Sequence, residues 1–277
     1  MEEPQYLKWL IKEDGVQLNK GFPVICYRID YNSDATVLDD WAHHIREHYI
    51  DDIELQEECA ELEISAEEYL KQNIIPQKGE GLGSTARSNT ISEILFSDLL
   101  EFVYHFEVPR YRQYNMSGKT VSEHGTDVIG YKFSNEDKTP NTEDQLVAVE
   151  VKAGLTSSTA DVIEKAVIDS PKDKYRVSQS LDYMKRKLKK MGKTEAVKDI
   201  VRFQKKTIKN YKIYYVAASM SSLMNFQEKQ LETGKCIKII PAIDEDLITI
   251  EKDTSIFFVH GKKLMDLTHA IYERCIE

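Results

Sequence analysis

Residues 147–153 read Val147-Ala148-Val149-Glu150-Val151-Lys152-Ala153, an apolar run carrying two charges. Side chains alternate across a strand, so Val147, Val149 and Val151 share one face and Glu150 and Lys152 share the other. Two same-face charges in a buried strand require partners or a task, because desolvated charge is costly. Earlier in the chain, Gly125-Thr126-Asp127 opens a second strand-like run, Val128 to Phe133. The polar stretch Ser134 to Asp144 lies between the two runs, which are therefore expected to pair as a hairpin.

The chain has 277 residues, 41% of them apolar, enough for one large domain or a domain with a substantial extension. It contains no apolar stretch of about 18 residues, so no membrane span is expected. The start, Met1-Glu2-Glu3-Pro4, lacks the basic-then-apolar pattern of a secretory signal. Cys26, Cys59, Cys236 and Cys275 are scattered without a CxxC pair. Neither a disulfide framework nor a structural zinc site is expected, and a cytoplasmic location is the simplest reading.

The net charge of −10 conceals a division. Residues 1–70 carry 18 Asp/Glu against 5 Lys/Arg, whereas residues 172–212 carry 15 Lys/Arg against 4 Asp/Glu. A local basic stripe is what a phosphate backbone requires; the plain alternative is a solvated helical face.

Periodicity and punctuation predict strands at 20–31, 107–114, 127–133, 145–152, 211–218, 236–240 and 255–260. Helices are predicted at 35–50 with Asp34 as N-cap, from Ser65 to before Pro76, and at 89–106, 173–191, 195–209, 221–232 and from Lys262. The Gly-rich segment 77–84 reads as a joint between an acidic N-terminal region, residues 1–76, and a main domain, residues 77–277. It lacks the GK[ST] ending of a phosphate loop. The order of elements specifies an α/β sheet with helices on its faces.

Asp…Glu-x-Lys is the metal-binding core of the PD-(D/E)xK nucleases, and Asp127, Glu150 and Lys152 match it. Phosphodiester hydrolysis needs an activated water and a stabilised leaving oxygen, which Mg²⁺ or Mn²⁺ supplies. Mg²⁺ takes hard oxygen ligands, so Asp127, Glu150 and the carbonyl of Val151 are the expected metal ligands. Lys152 would orient water or neutralise developing charge. The alternative is an exposed edge strand with Glu150 and Lys152 as a surface pair. Glu93 interrupts the apolar stripe of the 89–106 helix and is a further candidate; many enzymes of this superfamily bring a helix carboxylate to the metal.

On the basic helix, Gln179 and Tyr183 face the same way, with Tyr175 one turn earlier. Gln-x-x-x-Tyr after the catalytic strand resembles the motif of RecB-type nucleases, which supports the site and contacts DNA; a core-edge face is the alternative. Lys185, Arg186, Lys189 and Lys190 are the candidate phosphate contacts. A competing motif, His44-Ile45-Arg46-Glu47-His48, matches the inverted zincin pattern H-x-x-E-H. Its neighbours suggest a surface helix, and no third ligand follows in the sequence.

The acidic N-terminal part, His124-Gly125-Thr126-Asp127, Val149-Glu150-Val151-Lys152 and the following basic helices resemble the Hachiman antiphage nuclease subunits, the HamA family. The similarity extends over most of the chain in organisation, and is residue-specific at Asp127, Glu150 and Lys152. It implies a PD-(D/E)xK restriction-endonuclease-like core, a mixed sheet flanked by helices, with an acidic N-terminal α+β extension. It also implies a DNA nuclease held quiet by a partner helicase, HamB. Residues 1–76 are the expected docking surface for that ATPase. Thr126 stands where the superfamily pattern has proline. The competing function is a non-catalytic binding or regulatory subunit that keeps the nuclease fold, and the third is zinc peptidase chemistry through His44, Glu47 and His48.

Overall fold

The structure, a computed structural model, describes residues 2–14, 16–18, 22–121, 125–156, 161–205, 211–222 and 256–277. Six strands form one mixed sheet. They are β1 (Leu10–Glu13), β4 (Ile25–Ile29), β5 (Val128–Lys132), β6 (Gln145–Gly154), β7 (Lys212–Ser221) and β8 (Ile256–Gly261). A small separate pair, β2 (Gln17–Leu18) and β3 (Phe22–Pro23), lies outside it. The order across the sheet is β1-β4-β8-β7-β6-β5. The four inner strands run parallel, and β1 and β5 close the edges antiparallel.

The expected hairpin forms, with Val128 opposite Val149 and Lys132 opposite Gln145. Val147, Val149 and Val151 fill one face together with Val216, Ala218, Phe257, Val259 and Ile25. Helices α1 (Ala35–Tyr49), α4 (Gly83–Asp98) and α8 (Leu264–Arg274) cover that face, contributing Trp41, Ile91, Leu95 and Ile271. On the opposite face, Ile129, Tyr131 and Leu146 pack against α6 (Asp173–Lys190) and α7 (Thr194–Gln204), through Leu181, Met184 and Phe203. Helix α5 (Asp161–Asp169) also packs on β6 and β7.

Asp34 caps α1 by accepting from the Thr36 N–H at 3.1 Å, and Ser65 caps α3 (Ala66–Tyr69) by accepting from Glu68. The expected helix at 89–106 starts earlier, at Gly83, inside the Gly-rich segment. A Cβ on Gly83 would sit 1.9 Å from the Gln77 carbonyl oxygen, so the tight entry to α4 demands glycine there. The helix closes in a π turn over Leu99–Val103.

The strand expected at 107–114 does not form; only Glu107 bridges to Tyr131. Pro109 removes a donor from the ladder, and Arg110 and Arg112 turn into buried ion pairs instead. Among the described residues, β1, β2, α2 (Asp52–Leu62) and α5 escaped the sequence reading. Helix α2 is polar over most of its surface, with only Leu55 buried, so it carries no apolar stripe to read. The helix expected at 221–232 and the strand at 236–240 lie outside the described residues.

Residues before position 76 are not an appendage. Strands β1 and β4 extend the same sheet, and Tyr6, Trp41 and Ile75 belong to the same core as Val149 and Ile271. The boundary expected at residue 76 therefore crosses a continuous sheet and a continuous core. Trp41 is fully buried and stacks on Tyr6 with ring centroids 3.9 Å apart. Trp41→Ala is expected to cost about 3–5 kcal/mol, the range for emptying a large aromatic site. Urea unfolding measures it; a loss below about 1 kcal/mol would place the N-terminal layer outside the cooperative unit.

Candidate active site

The β5–β6 ladder ends at Val128 and Val149. One step further, Asp127 stands opposite Glu150, and residues facing each other across a ladder project to the same side. Asp127 replaces the next rung with its side chain: its Oδ2 accepts the Val151 N–H at 2.8 Å. In a strand, the N–H and C=O of one residue point to the same side, so the Val151 carbonyl turns toward Asp127 as well.

The approach to Asp127 is held by α6. Gly125 has φ +111°, and a Cβ there would lie 2.7 Å from Ser180 Oγ. Thr126 is fully buried. Its N–H donates to Ser180 Oγ at 3.0 Å, and its hydroxyl donates to Asp173 Oδ1 at 3.0 Å. Proline could offer neither donor, which accounts for the threonine at this position.

Glu150 is buried, and its two oxygens have different partners. Oε1 accepts from Lys152 Nζ at 2.5 Å and Oε2 from Arg176 Nη2 at 3.3 Å. Lys152 also pairs with Asp169 Oδ2 at 2.9 Å. Burial alone would lower the Lys152 pKa, but the hydrogen bonds that Lys152 donates to Glu150 and Asp169 raise it. In this arrangement Lys152 serves as a hydrogen-bond donor to both carboxylates.

Glu93 is brought to the same place from α4, mostly buried rather than facing solvent. Arg112 links the carboxylates, donating to Glu93 Oε2 and to Asp127 Oδ1 at 3.2 Å each, and to the Thr126 carbonyl at 3.0 Å. Gln113 donates to Glu93 Oε2 at 3.1 Å. Burial raises the Glu93 pKa despite Arg112. Burial, and next the Glu93 charge, push Asp127 up to about 8. Burial and the charge of Glu150 push Asp173 up to about 6.

The donor set fits a hard divalent cation. Asp127, Glu150 and the Val151 carbonyl offer oxygens from adjoining backbone positions. Five carboxylates, Glu93, Asp127, Glu150, Asp169 and Asp173, face four cations, Arg112, Lys152, Lys172 and Arg176, so the cluster keeps a net negative charge when all are ionised. The buried Asp173 Oδ2 has no hydrogen-bond partner.

Gln179 and Tyr183 lie on α6 beside these carboxylates. They line an open groove of about 600 Å³ together with Gly125, Ser178, Asp182 and Arg186, beside the approach to Asp127. The Tyr183 ring lies 6.0 Å from Tyr111, with Lys187 Nζ 5.5 Å above it, while Tyr175 is 81% exposed. Lys185 and Arg186 both pair with Asp182, at 2.8 and 3.2 Å, whereas Lys189 and Lys190 are exposed at the end of α6.

The sequence reading missed Arg112, Asp169, Asp173 and Arg176. Arg110 and Arg112 carried a signal, two arginines at strand spacing in an otherwise apolar and aromatic run. Asp169 and Asp173 carried none, since the helix break between them had no readable partner.

The histidine motif takes another form from the one expected. His44 and His48 are buried, not on the surface, and Glu47 faces away toward His43. His44 Nε2 lies 3.0 Å from Asp98 Oδ2, and His48 Nδ1 bonds the His44 carbonyl at 2.7 Å. Arg110 donates to Asp98 Oδ1 at 2.7 Å and to His48 Nε2 at 3.2 Å, while Tyr6 donates to Asp98 at 2.6 Å. Burial pushes Asp98 up, but Arg110 and His44 hold it well below the carboxylate range. Burial and Arg110 hold His48 well below its usual value. The guanidinium supplies the positive charge here, so this network is a satisfied structural one and does not suit a zinc peptidase.

A raised carboxylate pKa penalises the fold as the group ionises, so the penalty at Asp127 is absent below about pH 4, grows with pH and is complete above about pH 8. Asp127→Asn, which mimics the neutral form, is expected to raise the melting temperature of the metal-free chain more at pH 8.5 than at pH 5, those pH values bracketing about 8. A gain independent of pH would remove Asp127 as the strained carboxylate.

A family model described as HamA matches residues 4–275 of the chain. No curated protein matches it. Among the described residues, no helix is long and apolar enough to cross a membrane.

Proposed function

The chain belongs to the HamA family of Hachiman defence subunits, and from that premise we propose that it is a divalent-metal-dependent deoxyribonuclease of the PD-(D/E)xK type. The observation that carries this reading is the Asp127–Val151 hydrogen bond, which sets two carboxylates and a carbonyl side by side at a break in the sheet. Asp127, Glu150 and Val151 would hold Mg²⁺ or Mn²⁺, which when bound supplies Lewis-acid stabilisation of the phosphate and the leaving oxygen.

The chain's own groups divide the remaining work. Lys152, charged and aligned by Asp169, donates to the attacking water or to a non-bridging phosphate oxygen. Arg176 reaches Glu150 from α6 and keeps its carboxylate oriented. Arg112 stabilises Glu93 and Asp127 and fixes their separation. The groove lined by Gln179 and Tyr183 gives the strand a stacking surface next to the carboxylates. Lys189 and Lys190 extend the positive surface as sequence-independent phosphate contacts.

Plasmid cleavage with Mg²⁺ or Mn²⁺ tests the reading. Asp127→Asn and Glu150→Gln are expected to abolish cleavage in folded protein. Lys152→Ala should retain DNA binding and lose roughly 10²-fold or more in turnover, the scale for one preorganised electrostatic group. Neutralising Lys189 and Lys190 should weaken binding and flatten its salt dependence by up to about two in slope. Cleavage at the native rate by Asp127→Asn or Glu150→Gln overturns the nuclease assignment in favour of a binding or regulatory subunit.

A nuclease of broad action needs restraint, and we infer that a DNA-translocating ATPase, the helicase of the system, supplies it. The acidic surface of residues 1–76 would dock that partner through charge opposite to that of the basic helices, so the partner and DNA would use electrostatically distinct surfaces. Because β1 and β4 belong to the central sheet, deletion of this region would test folding rather than docking. The surface of α2 is the better target: Glu57 and Glu61 are exposed there, with Ile53 71% exposed beside them. Glu57→Lys with Glu61→Lys is expected to reduce co-purification of the ATPase while leaving the melting temperature unchanged. Capture at native yield would move the docking surface elsewhere.

A further inference from the structure

The sequence places Glu13, Cys26 and His260 far apart, and the sheet brings them together. Glu13 on β1 stands opposite Cys26 on β4, and Cys26 stands opposite Phe258 on β8. His260, two residues beyond Phe258, projects from the same face. His260 Nε2 lies 2.9 Å from Glu13 Oε2, and Cys26 Sγ lies 3.7 Å from the same oxygen. All three potential ligand atoms fall within 4.8 Å of one another.

We propose that Glu13, Cys26 and His260 form a zinc-binding site separate from the nuclease carboxylates. Thiolate, imidazole and carboxylate are the zinc donor set, whereas Mg²⁺ and Mn²⁺ favour all-oxygen shells. Zinc bonds of about 2.3 Å to sulfur and about 2.0 Å to nitrogen and oxygen give tetrahedral ligand edges of roughly 3.3–3.6 Å. The two edges to Glu13, 2.9 and 3.7 Å, lie within about half an ångström of that range, and all three ligand atoms fall within 4.8 Å of one another.

The surroundings are those of an oriented ligand set. Arg28 donates from Nε to Glu13 Oε1 at 3.1 Å, fixing the carboxylate and leaving Oε2 directed at the cysteine and histidine. The His260 ring stacks on Phe258, 5.6 Å between centroids and 14° between planes. Cys26 is fully buried, His260 nearly so, and Glu13 is partly open, which gives an ion a route in from the β1 edge. Burial, and next the Glu13 charge, keep the Cys26 thiol protonated without a metal. Binding therefore exchanges the S–H proton for an S–Zn bond and releases one proton to solvent.

Cobalt titration of the full-length chain, reduced and stripped of metal, tests the site because thiolate ligation gives Co²⁺ an intense near-ultraviolet charge-transfer band. One equivalent of Co²⁺ is expected to produce the band, and Zn²⁺ to bleach it. Cys26→Ser should lose the band, and Glu13→Gln should keep it while lowering affinity by at least about tenfold. Asp127→Asn should leave both band and affinity unchanged, which separates this site from the carboxylate cluster. Should Cys26→Ser fail to fold, Glu13→Gln decides. Absence of the band in the native chain, its persistence in folded Cys26→Ser, or unchanged affinity in Glu13→Gln overturns the proposal and leaves Glu13 and His260 as an ion pair.

Discussion

The hydrogen bond from the Val151 N–H to the Asp127 carboxylate is the constraint on which the site rests. A backbone ladder would have continued β5 alongside β6 and covered Glu150. With a side chain substituted for the next rung, the chain leaves the sheet at Asp127, and β6 runs on with only β7 beside it. The split strands present charged groups at a point where the sheet itself offers no further pairing. The positive φ of Gly125 and the two donors of Thr126 then turn the chain under Ser180 of α6, so the helix and the strand break are fixed to each other.

That geometry creates an electrostatic problem that the fold only partly solves. Burial and mutual repulsion raise Asp127, Glu93 and Asp173 together, while Arg112, Lys152 and Arg176 compensate in pairs. A purely structural cluster of this kind would be expected to balance its charges. The histidine network around Asp98 illustrates such a balance. One buried carboxylate there meets Arg110, His44 and Tyr6, and its pKa falls rather than rises. Two buried polar clusters in one chain thus differ in direction: the Asp98 carboxyl is held down by its partners, whereas Glu93, Asp127 and Asp173 are pushed up.

The centre of the fold was legible because its pattern is local. Val147, Val149 and Val151 alternate with Glu150 and Lys152, and a strand has no other way to place them. The capping side chains of Asp34 and Ser65 were legible for the same reason. What could not be read depends on distant pairing. Arg112 is a site residue only because Pro109 and the buried ion pairs override the strand character of 107–114. Asp169 ends α5 and Asp173 opens α6, and it is the turn between the two helices that brings both to the site. The acidic N-terminal region looked separable by composition, yet β4 pairs in parallel with β8, more than two hundred positions later, and no compositional signal encodes that register.

Register also explains how two chemically different clusters share one sheet face. Lys152, Ser219, Phe258, Cys26 and Glu13 form one unbroken row across β6, β7, β8, β4 and β1. With strands about 4.8 Å apart, Cys26 lies roughly 14 Å from Lys152. At that separation the interaction between two charges is weak, and Phe258 interrupts the row with an apolar ring. Direct electrostatic coupling between the ends is therefore weak. The sheet itself connects them: it is close-packed on the Val149 face by α1, α4 and α8, and a displaced strand shifts its neighbours' register as a unit. An ion clamping β1, β4 and β8 would consequently stiffen the strands beside β7 and β6 without altering the charge that Glu150 and Lys152 experience. The chemistry of one cluster and the rigidity lent by the other would remain separable quantities.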